Sequence, residues 1–434
     1  MLTYYLAKYQ LILTFGLAPF ILFPPVSPGL NAAAWFILLT VWLIKWRIDG
    51  RFIQRTPLDI SLLILLLLSP VSLWVSIDQV ASVVALNRFL WGMVLFYHLG
   101  VGLTTRQGLY LLLGLVVLAG VVAALVGLVA TSWNEGKITF LGTYYQYLPQ
   151  LSQVPGVLAG RADAERGLFH PNMIAVTLGM IIPLGVGLVA PLHSGWQKAG
   201  LIIALLFMGG VLLLTQSRLA TAALLIVLWV MAVSRWRWIW KLVFVAVILF
   251  VVTVWLVGPA SFMERLAEQF LGQGVRTWHT RQEVWHNAVL ALSDFPFTGV
   301  GLAVFEPVSR LLYPYTLAAP TWHFRHAHDN FLQVGLDFGL LGLVAYVALL
   351  LGLIWLGWQV YRASLEPFRS VVRGVLGSLG VYIGFGLFDA LPFWVKPGFL
   401  PWLIFGLIVV CWQIDKRDDL LEKRNAGQDI DDAR

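Results

Sequence analysis

Three of the eight histidines fall within six positions, in Trp322-His323-Phe324-Arg325-His326-Ala327-His328-Asp329-Asn330, directly before a long apolar run. An imidazole held at a membrane surface can take a proton from a hydroxyl, so this group reads either as a general base or as a structural hydrogen-bonding cluster. Zinc fits it poorly, since positions 323, 326 and 328 share no helical face and no cysteine adds a ligand. Upstream, Trp278, Arg281, Trp285, Ala288 and Leu292 recur at helical spacing, which puts Arg281 on an apolar stripe. A guanidinium there needs a partner. The nearby acid, Glu283, points elsewhere, so Arg281 either binds an anionic ligand or snorkels to water and packs on tryptophan. Phe295-Pro296-Phe297-Thr298-Gly299-Val300-Gly301 then reads as a tight turn ending that helix. Asp337, near the start of an apolar run, predicts pairing with an arginine, because an unpaired intramembrane carboxylate is costly. Arg218, just outside another apolar run, reads equally as an anchor for its helix.

The elements that must position these residues are membrane helices. The chain of 434 residues is 59% hydrophobic and 12% charged, too apolar to coat a water-soluble globule of that size. Apolar runs of roughly 20 residues, long enough to cross hydrocarbon as helices, separate polar clusters. They predict an all-α, polytopic bundle of about twelve transmembrane helices, at 11–27, 32–47, 58–76, 82–102, 107–131, 171–191, 198–215, 218–234, 237–257, 335–359, 372–391 and 397–414. Alternate connections carry Lys45, Arg47, Arg51 and Arg55, then Arg106, Lys198, Arg235, Arg237 and Lys241, then Arg362, Arg369 and Arg373. These read as cytoplasmic, whereas the other short connections offer Arg88, Arg218 and Lys396. Both termini then fall in the cytoplasm. The long connections 132–170 and 258–334 fall outside, the second as a large, partly helical extracytoplasmic loop. The organisation is 1–131, N-terminal helices; 171–257, central helices; 335–414, C-terminal helices; and 415–434, a charged tail expected to be mobile. The first apolar stretch ends in Phe23-Pro24-Pro25 without a small-residue cleavage pattern, which predicts a membrane helix rather than a cleaved leader. The net charge of +7 is accounted for by cytoplasmic anchors at a lipid surface, without nucleic acid. The single cysteine, Cys411, excludes an internal disulfide and reads as a small buried hydrophobe.

The outer segments carry further polar groups. Thr143-Tyr144-Tyr145-Gln146-Tyr147 suits either sugar or headgroup contact or an interfacial aromatic belt. In Arg161-Ala162-Asp163-Ala164-Glu165-Arg166, solvated loop charge is the commoner reading over an acidic metal pair. Phe262, Met263, Leu266, Phe270 and Leu271 recur opposite Glu264, Glu268 and Gln269, as in a helix lying in the interface.

His328-Asp329, nine residues, then Gly339-Leu340-Leu341-Gly342 resembles the signature of the O-antigen ligase and polymerase family: His, then Asn, Ser or Gln, nine residues, Gly, two residues, Gly. Gly167-Leu168-Phe169-His170-Pro171-Asn172, Thr215-Gln216-Ser217-Arg218, and Arg281-x3-Trp285 ahead of Pro296-x2-Gly299-Val300-Gly301 agree in order. These motifs cover roughly residues 165–345. Asp329 departs from the family's amide or serine.

The resemblance implies an inverting glycosyltransferase that moves a glycan from a polyprenyl (undecaprenyl) diphosphate carrier to a glycan, lipid or protein hydroxyl outside the cytoplasmic membrane. Arg218 and Arg281 would clamp the diphosphate, and His328 would activate the acceptor. His326, Gln333, His170, Asn172, Arg166 and Asp329 would support the base, bind sugar or shape the cleft. No metal and no cofactor is expected. A flippase or secondary transporter is the competing class, and it predicts repeated halves and broken helices near the midplane. A scaffold would leave the clustering of His328, Arg281 and Arg218 unexplained.

Overall fold

The computed structural model describes residues 2–22, 28–50, 53–131, 170–236, 252, 272–315 and 324–431. Within them the helices are α1 (Leu2–Leu22), α2 (Pro28–Asp49), α3 (Asp59–Trp74), α4 (Gln79–Gly102), α5 (Arg106–Ala130), α6 (Pro171–Leu188) and α7 (Gly195–Leu214). They continue as α8 (Arg218–Arg235), α9 (Gly272–Asp294), α10 (Phe305–Leu312), α11 (Asn330–Ala363), α12 (Phe368–Gly386) and α13 (Phe399–Asp431). Eight of them, α2, α4, α5, α6, α7, α8, α11 and α13, are long and apolar enough to cross a membrane. Fewer elements therefore meet that standard than the expected twelve. In α1 and α3 the apolar stretches are shorter, Tyr9–Leu22 and Asp59–Trp74. The expected span 237–257, the interfacial helix 262–271, the aromatic loop 143–147, Arg161, Asp163, Glu165, Arg166 and His323 lie outside the described residues.

Glycine contacts set the helix register. Gly187 of α6 and Gly374 of α12 face each other so closely that a Cβ on either would lie 3.0 Å from the other's Cα. Gly179 meets Val381 further along. This antiparallel register, extended at the common helical rise, sets Asn172 opposite Asp389. On the other side of α12, Ala223, Val227 and Met231 of α8 meet Gly384, Gly380 and Gly377. The same extension puts Arg218 at the level of Asp389.

The two ends of the bundle differ in chemistry. At one end Ser72 Oγ donates to Asp337 O at 2.5 Å, Ser82 Oγ to Leu302 O at 2.6 Å, and Arg88 to Leu22 O at 3.0 Å and Trp394 O at 2.6 Å. These bonds join α3 to α11, and α4 to the end of α1, the turn before α10 and the segment after α12. At the other end lie the ion pairs Arg106–Asp418 (2.5 Å), Arg235–Glu366 (3.5 Å) and Arg373–Glu366 (3.1 Å).

Several boundaries depart from hydropathy. Helix α11 begins at Asn330 rather than 335, because Asp329 caps it, accepting from Leu332 N at 2.8 Å, and its polar first turns are buried against neighbouring loops. Helix α12 ends at Gly386 rather than 391, which leaves Asp389 in a loop. The segment after Asp415, expected to be mobile, continues α13 as helix to Asp431. Among the described residues Asp337 pairs with no arginine: Gln333 Nε2 donates to it at 2.8 Å, Trp394 Nε1 at 3.1 Å and Ala303 N at 3.3 Å. Neutral donors from three elements meet its hydrogen-bonding needs instead. Cys411 is buried, as expected.

A candidate active site around His328 and Asp389

Helix α11 is kinked at Gly339, whose φ of +76° suits glycine. The turn 296–301 docks into this kink, with Leu340 N donating to Pro296 O and Val300 N to Leu336 O, both at 2.7 Å. A Cβ at Gly299 would sit 2.2 Å from Leu336 O, and one at Gly339 would sit 2.5 Å from Phe297 O. Two motifs far apart in sequence are therefore one packing unit. It locks α9 against the start of α11, with Arg281 carried by the first and His328 just ahead of the second.

His328 has a left-handed backbone, φ +51°, uncommon for a residue with a side chain. Trp285 Nε1 donates to its carbonyl at 3.3 Å, and its own N–H donates to His326 Nδ1 at 3.3 Å. The His326 and His328 rings meet edge to face at 4.5 Å. Its imidazole Nδ1 lies 2.8 Å from Asp389 Oδ1.

Asp389, 2% exposed, is the hub. Its Oδ1 also accepts from Ala390 N at 2.9 Å, while Oδ2 accepts from Asn172 Nδ2 at 3.1 Å and lies 3.6 Å from Arg281 Nη2. Burial works to raise its pKa, but His328, His326 and Arg281 outweigh it and hold the carboxyl well below the usual carboxylate range. An ionised carboxylate only accepts, so Nδ1 of His328 carries the proton between them and Nε2 is left for other chemistry. Burial, with the neighbouring His328, lowers His326 to about 3, so that ring is neutral near pH 7.

Residues 203–347 match the family model described as O-antigen ligase. The match supports assigning the chain to the O-antigen ligase family. No curated protein matches it. The matched region contains Arg218, Arg281, His326, His328, Asp329 and Gln333, whereas Asn172 and Asp389 lie outside it and reach the site through the register of α6 and α12.

The fold thus brings His328, His326, Arg281 and Asn172 together. Arg281 has an acidic neighbour after all, Asp389 rather than a residue near it in sequence. Gln333 acts from below: Oε1 accepts from Ala327 N at 2.9 Å and Nε2 donates to Asp337, fixing the loop that carries the histidines. Asp329 is a helix cap, a task that asparagine or serine performs as well, so its departure from the family pattern preserves the local structure. His170 caps α6, Nδ1 accepting from Asn172 N at 3.2 Å, beside the site. Arg218 is exposed at the first turn of α8, level with Asp389. Sequence reasoning missed Asp389 because it sits in an apolar run taken as a span; a lone carboxylate there was the available signal. Asn330 was missed too: Oδ1 accepts from Leu391 N at 2.8 Å, and its buried Nδ2 has no hydrogen-bond partner.

His326, His328 and Asp389 offer three ligand atoms within 4.8 Å of one another, a spacing a metal ion could use. Asp389, however, already receives His328, Ala390 N, Asn172 and Arg281. A cation there would displace those donors and meet the guanidinium charge.

Proposed function

We propose that this protein is a metal-independent, inverting glycosyltransferase of cell-surface polysaccharide synthesis, moving a glycan from a polyprenyl diphosphate carrier to an acceptor hydroxyl. The observation that carries the reading is the buried Asp389 carboxylate joined to the Nδ1 side of His328, with Arg281 on its other oxygen. His328 Nε2 takes the acceptor's proton as the acceptor oxygen bonds to the anomeric carbon. The carbon–oxygen bond to diphosphate breaks, and its electron pair leaves with the carrier lipid. Arg281 and Arg218 neutralise the charge that develops on the leaving diphosphate. Asp389 holds the imidazole in the proton-accepting tautomer and stabilises the imidazolium. Asn172 and His326 position this pair, His170 flanks it at the start of α6, and Gln333 fixes the loop that carries the histidines.

The site faces away from the cytoplasm. Supporting this is the gathering of Arg106, Arg235, Arg369, Arg373 and Arg417 at the opposite end, where basic residues are retained inside. With α1, α3, α12 and the run 237–257 as further crossings, about twelve helices span the bilayer and both termini lie in the cytoplasm.

The test is transfer by purified protein in nanodiscs, with chelator present, from a polyprenyl diphosphate-linked glycan. We expect chelator-resistant transfer that added Zn²⁺ does not raise. Movement of the lipid-linked glycan between vesicle leaflets, without transfer, would replace this reading with a flippase.

A further inference from the structure

Gln216 stands in the two-helix corner between α7 and α8, two residues before Arg218. Its backbone is left-handed, φ +52°, and the residue is 6% exposed, yet neither Oε1 nor Nε2 has a hydrogen-bond partner. Among the described residues, no other side chain leaves two buried polar atoms unmatched. Buried polar groups are nearly always paired, so an amide that lacks both an acceptor and a donor marks a place where another group belongs. The neighbouring residues do not need it: Thr215 Oγ1 donates to Leu212 O at 2.6 Å and accepts from Ser217 N at 3.2 Å. The corner closes without help from the glutamine side chain. A residue kept in a strained conformation with its polar end unused points to binding rather than to folding.

The register of α8 on α12 puts this corner at the level of Asp389 and Arg218. We propose that Gln216 recognises the sugar attached to the diphosphate, by pairing its amide with an acetamido group on that sugar. An acetamido offers an N–H and a carbonyl side by side, the complement of the glutamine carbonyl and NH₂, whereas a single hydroxyl satisfies one bond with good geometry. This assignment rests on the glycosyltransferase reading. It adds a group that distinguishes donors, separate from the arginines that hold the diphosphate in all of them.

The experiment measures affinities of three lipids for nanodisc-held protein: undecaprenyl diphosphate, its N-acetylglucosaminyl form and its glucosyl form. Wild type should prefer the acetamido sugar over the glucosyl one by about tenfold. Gln216→Met, similar in volume but without the polar atoms, should erase that preference, leave undecaprenyl diphosphate binding unchanged, and unfold at the same or a higher temperature. If Gln216→Met weakens all three lipids alike or lowers the unfolding temperature, the glutamine is structural and the proposal fails. Survival of the preference in the variant, or its absence in wild type, also overturns it. If wild type binds none of the three lipids, the glycosyltransferase reading falls first, and this assignment with it.

Discussion

His328 holds a left-handed backbone that costs a residue with a side chain roughly 1–2 kcal/mol, and it is fixed there by Trp285 and His326 from two directions. The strain aims one ring nitrogen at Asp389. That carboxyl has its folded pKa lowered, so it stabilises the fold wherever the unfolded aspartate is already ionised, above about pH 4. The stabilisation is lost as pH falls below that value toward the folded pKa. Thermal unfolding of wild type and Asp389→Asn in detergent should therefore differ most near neutrality and converge below about pH 4. A gap that is constant with pH would mean the carboxylate charge is not what matters. Arg281→Lys keeps the charge but loses the planar fork that, in the proposed mechanism, spans Asp389 and a diphosphate oxygen together. Donor affinity should fall about tenfold, roughly 1.4 kcal/mol, and unchanged affinity would remove Arg281 from the diphosphate site.

At the scale of elements, the kink in α11 and the turn 296–301 are one device. Gly339→Ala adds a methyl at φ +76° against Phe297 O and should lower the unfolding temperature, at a cost of about 1–3 kcal/mol. Gly209→Ala in α7, where a Cβ meets nothing within 4 Å, is the control and should be neutral or stabilising. Equal effects would show that the kink carries no constraint. Helix positions were legible in the sequence because lipid forces long apolar runs into helices. Helix ends were less so. Asn330 and Gln333 read as loop residues, and Leu387–Leu391 as membrane, because hydropathy cannot tell a polar residue satisfied inside the protein from one facing water. The candidate site divides along the same line. His328, Arg281, Asn172 and Arg218 carry recognisable spacing, but Asp389 is defined by the α6–α12 register, which depends on glycine contacts nearly two hundred residues apart in sequence.

For the whole molecule, the site and the basic cluster occupy opposite ends, which the proposed topology turns into a statement about sidedness. In a Cys411→Ser background, Leu387→Cys and Leu365→Cys each add one exposed thiol, the first near Asp389 and the second beside Glu366. A membrane-impermeant maleimide applied to spheroplasts should label position 387 directly, and 365 only after permeabilisation. The reverse pattern would put the proposed chemistry in the cytoplasm. Exposed apolar side chains such as Leu67, Leu118, Ile203 and Leu225 cover the waist between these ends, where acyl chains rather than water are their natural solvent.

In the proposed mechanism the His328–Asp389 pair abstracts the acceptor's proton. The most direct measurement is the single-turnover rate of glycan transfer for wild type, His328→Gln and Asp389→Asn, with donor affinity determined in parallel. His328→Gln should slow the chemical step about 10²–10⁴-fold, Asp389→Asn should also slow it markedly, and both should bind donor within about threefold of wild type. Wild-type rates in His328→Gln, or slowing explained entirely by lost donor binding, would contradict that mechanism.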